Sequence, residues 1–365
     1  MRYLIAPDKF KGTLNAWEVC AIVANAVRTH DPDAQIDQAP IADGGEGTAA
    51  LVASQLGAQK RSMATVDALG RSISAEFFVH GQEGLIDVSS ASGLWRIAQS
   101  ERRPLDSSTF GTGLVVHHLL KLGIRRISIG LGGSATVDAG FGLAAAVGYT
   151  FLDKEGNSIW PVHPARFGAI AQVIPPDISD WPEVVGLADV ETRLLGPEGA
   201  IHVFGPQKGL RPDEVESLDR ELVRLVHRLE DSLGTNHSGT LRSGAAGGFG
   251  YGILTFLRGK LVSGFTEVAQ RLQLSQRISA ADVVITGEGK LDRQSLQGKG
   301  PFGVAEIARR AGKPVWAIAG AIEDAKQIQE HFDKAISVVG ALITLEAALK
   351  DPAGTLRQRV AGFWE

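Results

Sequence analysis

Carboxylates set among glycines recur along this 365-residue chain. Asp43-Gly44-Gly45-Glu46-Gly47 is one such string, and Gly287-Glu288-Gly289 with Asp292 shortly after it is another. Each follows an apolar run, so each falls near the C-terminal end of a predicted strand, where an open α/β sheet collects its ligands. Acids there can bind Mg²⁺, which takes a few carboxylates plus substrate oxygens, or hold substrate hydroxyls, or act as a base. Capping of a following helix is the structural alternative, above all for Glu46. A third string, ISIGLGGSATVDAG from Ile127 to Gly140, ends an apolar run in glycines and hydroxyls. Gly130-x-Gly132-x-x-Ala135 fits the loose dinucleotide fingerprint, with Asp153 lying 23 residues beyond Gly130 as a ribose-binding acid. Read as a phosphate cradle, the same loop offers backbone N–H groups, with Ser134 and Thr136 adding donors. A tight strand-to-helix turn is the third reading.

Two lysines accompany these loops. Lys208, in Phe204-Gly205-Pro206-Gln207-Lys208-Gly209, reads as lying between turn residues, where it can meet a phosphate as a point charge; Lys11, after Asp8, is similar. A solvated surface lysine is the alternative for both. Gly244 to Gly250 can bring backbone close to a ligand or to another helix. No Walker A pattern occurs, and no protein-kinase H-R-D or D-F-G set, so a nucleotide site here is of another type. The nine histidines show no metal spacing, and Cys20 lies on an apolar helix stripe. A zinc site and a cysteine nucleophile are set aside.

The elements that must position these groups follow from periodicity. Tyr3 to Ala6 is a short buried strand closed by Pro7 and Asp8. Asn15 with Glu18 forms an Asn-capped capping box, and Val19, Ile22, Val23, Ala26 and Val27 give the stripe of an amphipathic helix stopped by Asp31-Pro32-Asp33. A weaker strand spans Ile36 to Ile41, before a helix carrying Leu51, Val52 and Leu56. Met63 to Val88 alternates β-like runs with turns at Gly70 and Gly81, as in an antiparallel or mixed sheet. Helices are predicted over Leu114–Leu122, Phe141–Val147 and Glu214–Leu233, and residues 155–182 read as proline-rich loops. The α/β rhythm returns with strands at Val283–Ile285 and Val315–Ala319 around a helix at Val304–Arg310. The fold class is α/β, a doubly wound domain interrupted by an inserted second domain, with residues 1–62 and 280–365 forming the first and 63–279 the second.

Composition agrees: 44% apolar, 21% charged and a net charge of -4 give no electrostatic reason to expect nucleic acid or an anionic membrane. One cysteine allows no internal disulfide, and no run suits a signal peptide or a membrane span, so the sequence predicts a cytoplasmic protein.

Taken together, the strings resemble the bacterial type 1 glycerate kinase family. The resemblance is carried by Ala6-Pro7-Asp8 with Phe10-Lys11-Gly12, Ala42 to Thr48, Ala91 to Leu94, Phe110 to Gly113, and Gly132 to Thr136 with Asp138. It continues through Ala188-Asp189-Val190, Val203 to Gly209, Gly244 to Gly248, Thr286 to Gly289, Asp292, and Gly298-Lys299 with Gly303 to Ala305. It implies a flavodoxin-like domain with an inserted α/β domain carrying a mixed sheet, a cleft between them, and transfer of phosphate from ATP, with Mg²⁺, to a hydroxyl of D-glycerate. The implied product is 2-phosphoglycerate, with 3-phosphoglycerate the alternative. On this reading Asp189, Asp43 and Lys11 are catalytic, with Asp189 favoured as base over Asp8 and Asp43. Asp8, Gly44, Gly45, Glu46, Ser92, Thr112, Gly132, Gly133, Ser134, Thr136 and Lys208 bind substrate or phosphate. Gly287, Glu288, Gly289 and Lys299 bind nucleotide, and Glu288 and Asp292 hold the metal. A monomer or homodimer is expected, with no nucleic-acid or membrane partner.

The chain departs from the family pattern at Asp189-Val190-Glu191-Thr192-Arg193-Leu194, where an Asn-Pro pair is usual, and at Asp87-Val88, where Glu-Met is usual. Lys9 stands where Ser is usual and Ala139 where Gly is usual. Thr192 and Arg193 leave room for a related hydroxy-acid kinase or a binding protein without turnover. An NAD-dependent 2-hydroxyacid oxidoreductase using Gly130, Gly132 and Asp153 is the rival from another class. It needs a catalytic histidine, and His80, His163 and His202 are the nearest attempts.

Overall fold

Strand β1 (Arg2–Ile5) alternates its side chains as a pleated strand must: Tyr3 and Ile5 enter one buried cluster, Leu4 the opposite one. The computed structural model describes every residue except 179, 293–299, 324 and 365, and the side chains of 325 and 327. After β1 the helix Ala16–His30 starts at Asn15, whose side chain accepts from Glu18 N at 3.0 Å while Glu18 Oε2 accepts from Asn15 N at 2.7 Å. Its stripe of Val19, Cys20, Val23 and Val27 packs on the Tyr3–Ile5 face. Strand β2 (Gln35–Gln38) runs parallel to β1 and stops short of the predicted Ile41.

A second unit follows, Gly44–Gly264. Its helix Thr48–Leu56 leads into β3 (Gln59–Val66), β4 (Ser72–His80) and β5 (Glu83–Asp87), an antiparallel meander turning at Gly70 and Gly81. Beyond the helix Phe110–Lys121, β6 (Arg126–Gly130) pairs in parallel with β5. Strands β7 (Thr150–Leu152) and β8 (Gln172–Ile174) form a separate antiparallel pair, so residues 155–182, read as loops, contain one strand and the short helix Pro164–Ala169. Strands β9 (Glu183–Leu187) and β10 (Lys260–Val262) complete a mixed sheet of order β10-β9-β6-β5-β4-β3. Ile127, Ile129 and Val184 of this sheet pack against Val115, Leu119, Phe249 and Ile253 of its helices. The helix Pro212–Leu233 sends Leu218, Leu222, Leu225 and Leu229 into a second core built around Phe141 and Phe167.

The chain then returns to the first unit with β11 (Val283–Leu291), β12 (Val315–Ile322) and β13 (Lys334–Ser337). All five strands of that sheet are parallel, in the order β13-β12-β11-β1-β2. Numbered within the unit this is 2-1-3-4-5, the flavodoxin-like order, with helices covering both faces.

The domain boundaries fall after Asp43 and Gly264, not at 62/63 and 279/280. The helix Thr48–Leu56 packs on β4 and β5 and takes its N-terminal cap from Asp87, which places it in the second unit. Phe265, Ala269, Leu274 and Ile278 share a core with Phe302 and Val304, which assigns their helices to the first. Among the described residues no helix is long and apolar enough to cross a membrane.

Candidate functional site

In the second unit the parallel strands β5, β6, β9 and β10 end together, and each carboxyl end carries a polar group. Asp87 closes β5. Its carboxylate accepts from Gly47 N at 2.9 Å and Ala49 N at 3.1 Å, neutralising the start of the helix Thr48–Leu56. The capping role expected of Glu46 therefore belongs to Asp87, and Glu46 itself is exposed.

After β6, Gly132 and Gly133 let two loops touch. A β-carbon on Gly132 would lie 2.5 Å from Gly45 Cα, and one on Gly44 only 2.6 Å from Leu187 O. The 132–136 loop is pinned further by Leu94 N to Gly133 O (2.8 Å) and Ala135 N to Ser92 O (2.8 Å). Ser92 and Thr112 lie wholly buried with their hydroxyls 2.8 Å apart, so the pair supports this loop from beneath. Thr136 Oγ1 is buried without a partner.

Lys208 is the last residue of the helix Ala200–Lys208, not a residue between turns. Gly205 misled the sequence reading: it is helical, and its missing side chain makes room for Leu210, 2.7 Å from where a β-carbon would be. The amine of Lys208 is buried and donates to Ser134 Oγ at 2.8 Å and Thr136 O at 2.6 Å. Burial lowers its pKa to about 7, with Asp138 opposing the shift. Gly247, at φ +70°, passes so close that a β-carbon would sit 2.8 Å from Lys208 Nζ. Asp138 is fully buried and accepts from Thr109 N (2.7 Å), Thr109 Oγ1 (2.8 Å) and Gly142 N (3.1 Å). Burial still raises its pKa.

Asp189 follows β9 and is buried; Ser263, just past β10, donates to its Oδ1 at 2.8 Å. Thr192 O accepts from Gly244 N at 3.0 Å, and Arg193 donates from Nε to Gly239 O at 2.8 Å. Asp87, Asp138 and Ser263 have these roles without having been singled out as site residues. For Asp87 the signal was present: an acid closing the apolar run Leu85-Ile86.

In the first unit Asp8 and Asp43 follow the ends of β1 and β2, Asp292 follows β11 and Glu288 lies within it, at the β1–β11 pair where the strand order reverses. Asp8 is buried, and Lys9 N donates to its Oδ1 at 2.6 Å. Burial first, then the charges of Asp43 and Glu288, raise its pKa well above the ordinary carboxylate value, against the pull of Lys9. Gly287-Glu288-Gly289 is not a loop but part of β11, paired with Ile318 to Ala319 of β12. Its glycines serve close packing: a β-carbon on Gly287 would lie 1.9 Å from Ile318 O, and one on Gly289 3.1 Å from Lys11 N. Lys11 is exposed on the turn after β1. Asp292 lies 3.5 Å from Lys290 Nζ, and Lys299 falls outside the described residues. Among the described residues no three His, Cys, Asp or Glu side chains converge as a metal cage.

The dinucleotide reading fails on topology. Its second parallel strand, at whose end the ribose acid belongs, is β7, which joins no parallel sheet. Asp153 lies instead in a turn, accepting from Glu155 N and Asn157 N.

Relatives point the same way. A sequence model of the glycerate kinase family matches residues 3–364. The chain belongs to the glycerate kinase family. It is 36% identical to the glycerate 2-kinase of Escherichia coli K12, over 96% of this chain and 93% of that protein. It is 35% identical to the glycerate kinase of Bacillus subtilis 168, over 97% and 94% of the two chains. A crystal structure described as a candidate glycerate kinase 2 from Salmonella typhimurium LT2 matches with a TM-score of 0.84 at 35% identity, covering 100% of this chain and 97% of the other. Membership makes the chain a kinase, a phosphotransferase that uses ATP and an alcohol acceptor on a small molecule.

Proposed function

We propose that this chain phosphorylates the 2-hydroxyl of D-glycerate with Mg-ATP, giving 2-phosphoglycerate. The observation that carries this reading is the shared carboxyl end of β6 and β9, where a glycine loop clamped by Lys208 lies in the same unit as Asp189. Phosphoryl transfer needs positioning and charge stabilisation more than covalent chemistry from the protein. Asp189, oriented by Ser263, accepts the hydroxyl proton as the oxygen attacks the γ-phosphorus and the bond to the ADP oxygen breaks. The Gly44–Glu46 and Gly132–Thr136 loops, packed backbone against backbone, bring N–H groups that suit phosphate or glycerate oxygens to one strand end. Lys11, on its exposed turn, neutralises phosphate charge. Gly287 to Gly289 with Lys299 take the nucleotide.

Mg²⁺ fits the donor chemistry of the first unit. Asp8, Asp43, Glu288 and Asp292 are hard oxygen ligands, and the first three are close enough for Asp43 and Glu288 to raise the pKa of Asp8. The ion typically takes one or two carboxylates and completes its shell with water and phosphate oxygens, and held there it would neutralise phosphate charge.

ADP release coupled to NADH oxidation, with D-glycerate and Mg-ATP, tests the activity, and absence of turnover refutes it. Phosphorus NMR of the product tests the position. A phosphorus coupled to one proton supports the 2-phosphate; coupling to two methylene protons would assign the 3-phosphate instead.

A further inference from the structure

Arg242 adopts φ +72°, a left-handed conformation that a side chain makes costly and glycine accepts freely. The backbone around it leaves little freedom. Its carbonyl accepts from Ala245 N at 2.9 Å, and a β-carbon on Gly250 would lie 2.3 Å from that same oxygen. Strain of this kind at a non-glycine residue is a reason to ask what its side chain does. The side chain is half-buried, and its Nε donates to Ala188 O at 3.0 Å. Ala188 immediately precedes Asp189, and its own N–H donates to Val262 O at 3.1 Å, so the guanidinium is anchored to the rigid end of β9. Among the described residues, Nη1 and Nη2 make no hydrogen bond or ion pair. Two parallel N–H groups of a planar guanidinium match a carboxylate in a way that a lysine cannot. Arg193, by contrast, is exposed and spends its Nε on Gly239 O.

From this we infer that Arg242 is a specificity-determining residue: its two terminal nitrogens bind the carboxylate of the hydroxy-acid substrate and set its hydroxyl toward Asp189. The inference rests on the kinase reading for Asp189. It names the acceptor class as α-hydroxy carboxylates and excludes neutral polyols of the same size.

Calorimetric binding separates this inference from the kinase reading, because it needs no turnover. D-glycerate and its neutral amide, glyceramide, are titrated into the wild-type protein and into Arg242→Gly. Glycine fits φ +72° without strain, so the variant should melt no lower than wild type. Wild type should bind glycerate at least about tenfold more tightly than glyceramide, the scale of one charge-assisted pair, and Arg242→Gly should abolish that preference. Arg242→Lys, which keeps the charge but loses the fork, should restore it only in part. In steady state, KM for glycerate should rise in Arg242→Gly while KM for ATP holds. An unchanged glycerate affinity in Arg242→Gly, or a loss confined to ATP, overturns the inference. Tight carboxylate-selective binding in a wild type without turnover would support it while refuting the kinase reading.

Discussion

At the carboxyl end of β1, Asp8 is buried beside Asp43 and Glu288, and its pKa is raised. At the carboxyl end of β5, Asp87 is also buried, yet it is surrounded by amides: Gly47 and Ala49 donate to its two oxygens. Asp138, deeper still, collects the N–H and hydroxyl of Thr109 and the N–H of Gly142. The two units thus use the same residue type in opposite ways. In the first unit Asp43 and Glu288 both oppose the charge on Asp8, an arrangement that gains when a cation or a proton arrives. In the second unit Asp87 and Asp138 are consumed in fixing glycine-rich turns, and we propose backbone, Lys208 and Arg242 as the groups that meet an anion. Position at a strand end therefore does not assign a role; the partners of the carboxylate do.

The contrast is broken most directly by Asp189, the acid of the second unit that we propose as the base. Asp189→Asn keeps the Ser263 contact geometry but removes the proton acceptor, so kcat should fall by roughly 10²-fold or more while ATP affinity holds. Asp87→Ala should behave differently. Losing the cap of the helix Thr48–Leu56 should cost about 1 kcal/mol of stability, read as a lower denaturation midpoint. Near-normal kcat in Asp189→Asn would move the base elsewhere, with Asp8 and Asp43 next in line.

What the chain made legible was mostly local. The apolar runs at Tyr3, Val283 and Val315 mark three strands of the first sheet, and Asn15 with Glu18 marks the first helix start. Asp8 and Asp189 could be read for the same reason, since each directly follows such a run. Non-local packing was hidden. The affiliation of the helix Thr48–Leu56 depends on Asp87, about forty positions away, and Gly205 and Gly287 looked like turns because a glycine that permits close packing has the same letter as one that permits a turn. Arg242 carried no signal at all, because its strain exists only as a backbone angle.

A smaller effect sharpens the contrast through Lys208, a buried amine of the second unit. Its pKa is lowered from 10.5 to about 7 by burial. Between those values the unfolded chain holds a proton that the folded one does not, so stability gained from this group rises with pH across that interval; below about 7 the cost of burying the charge is complete. Lys208→Met removes that dependence, and it also removes the bonds to Ser134 and Thr136. Thermal melts from pH 7 to 10 should show a flatter profile in the variant than in wild type, and on the binding role proposed for the 132–136 loop KM for glycerate should rise. Equal slopes would mean that Lys208 is solvated in solution.

The smallest expected change tests the first unit, and its sign runs the other way. Asp8 has a raised pKa, so protonation favours the folded state: its contribution is fully present below the ordinary value of 3.8 and is lost as pH rises through the folded value. At neutral pH the charged form is opposed by burial and by Asp43. Asp8→Asn has nearly the shape of the protonated acid and carries no charge, so it should melt a few degrees higher than wild type near pH 8. That advantage should shrink as pH falls toward 3.8, where wild-type Asp8 takes up its own proton in both states. Magnesium offers the second arm of the test. A divalent cation relieves repulsion among Asp8, Asp43 and Glu288, so it should raise the wild-type melting temperature more than that of Asp8→Asn. A variant that melts lower than wild type at pH 8, and gains equally from magnesium, would show that the Asp8 carboxylate is stabilised by its surroundings, and the distinction between the acids of the two units would fall with it.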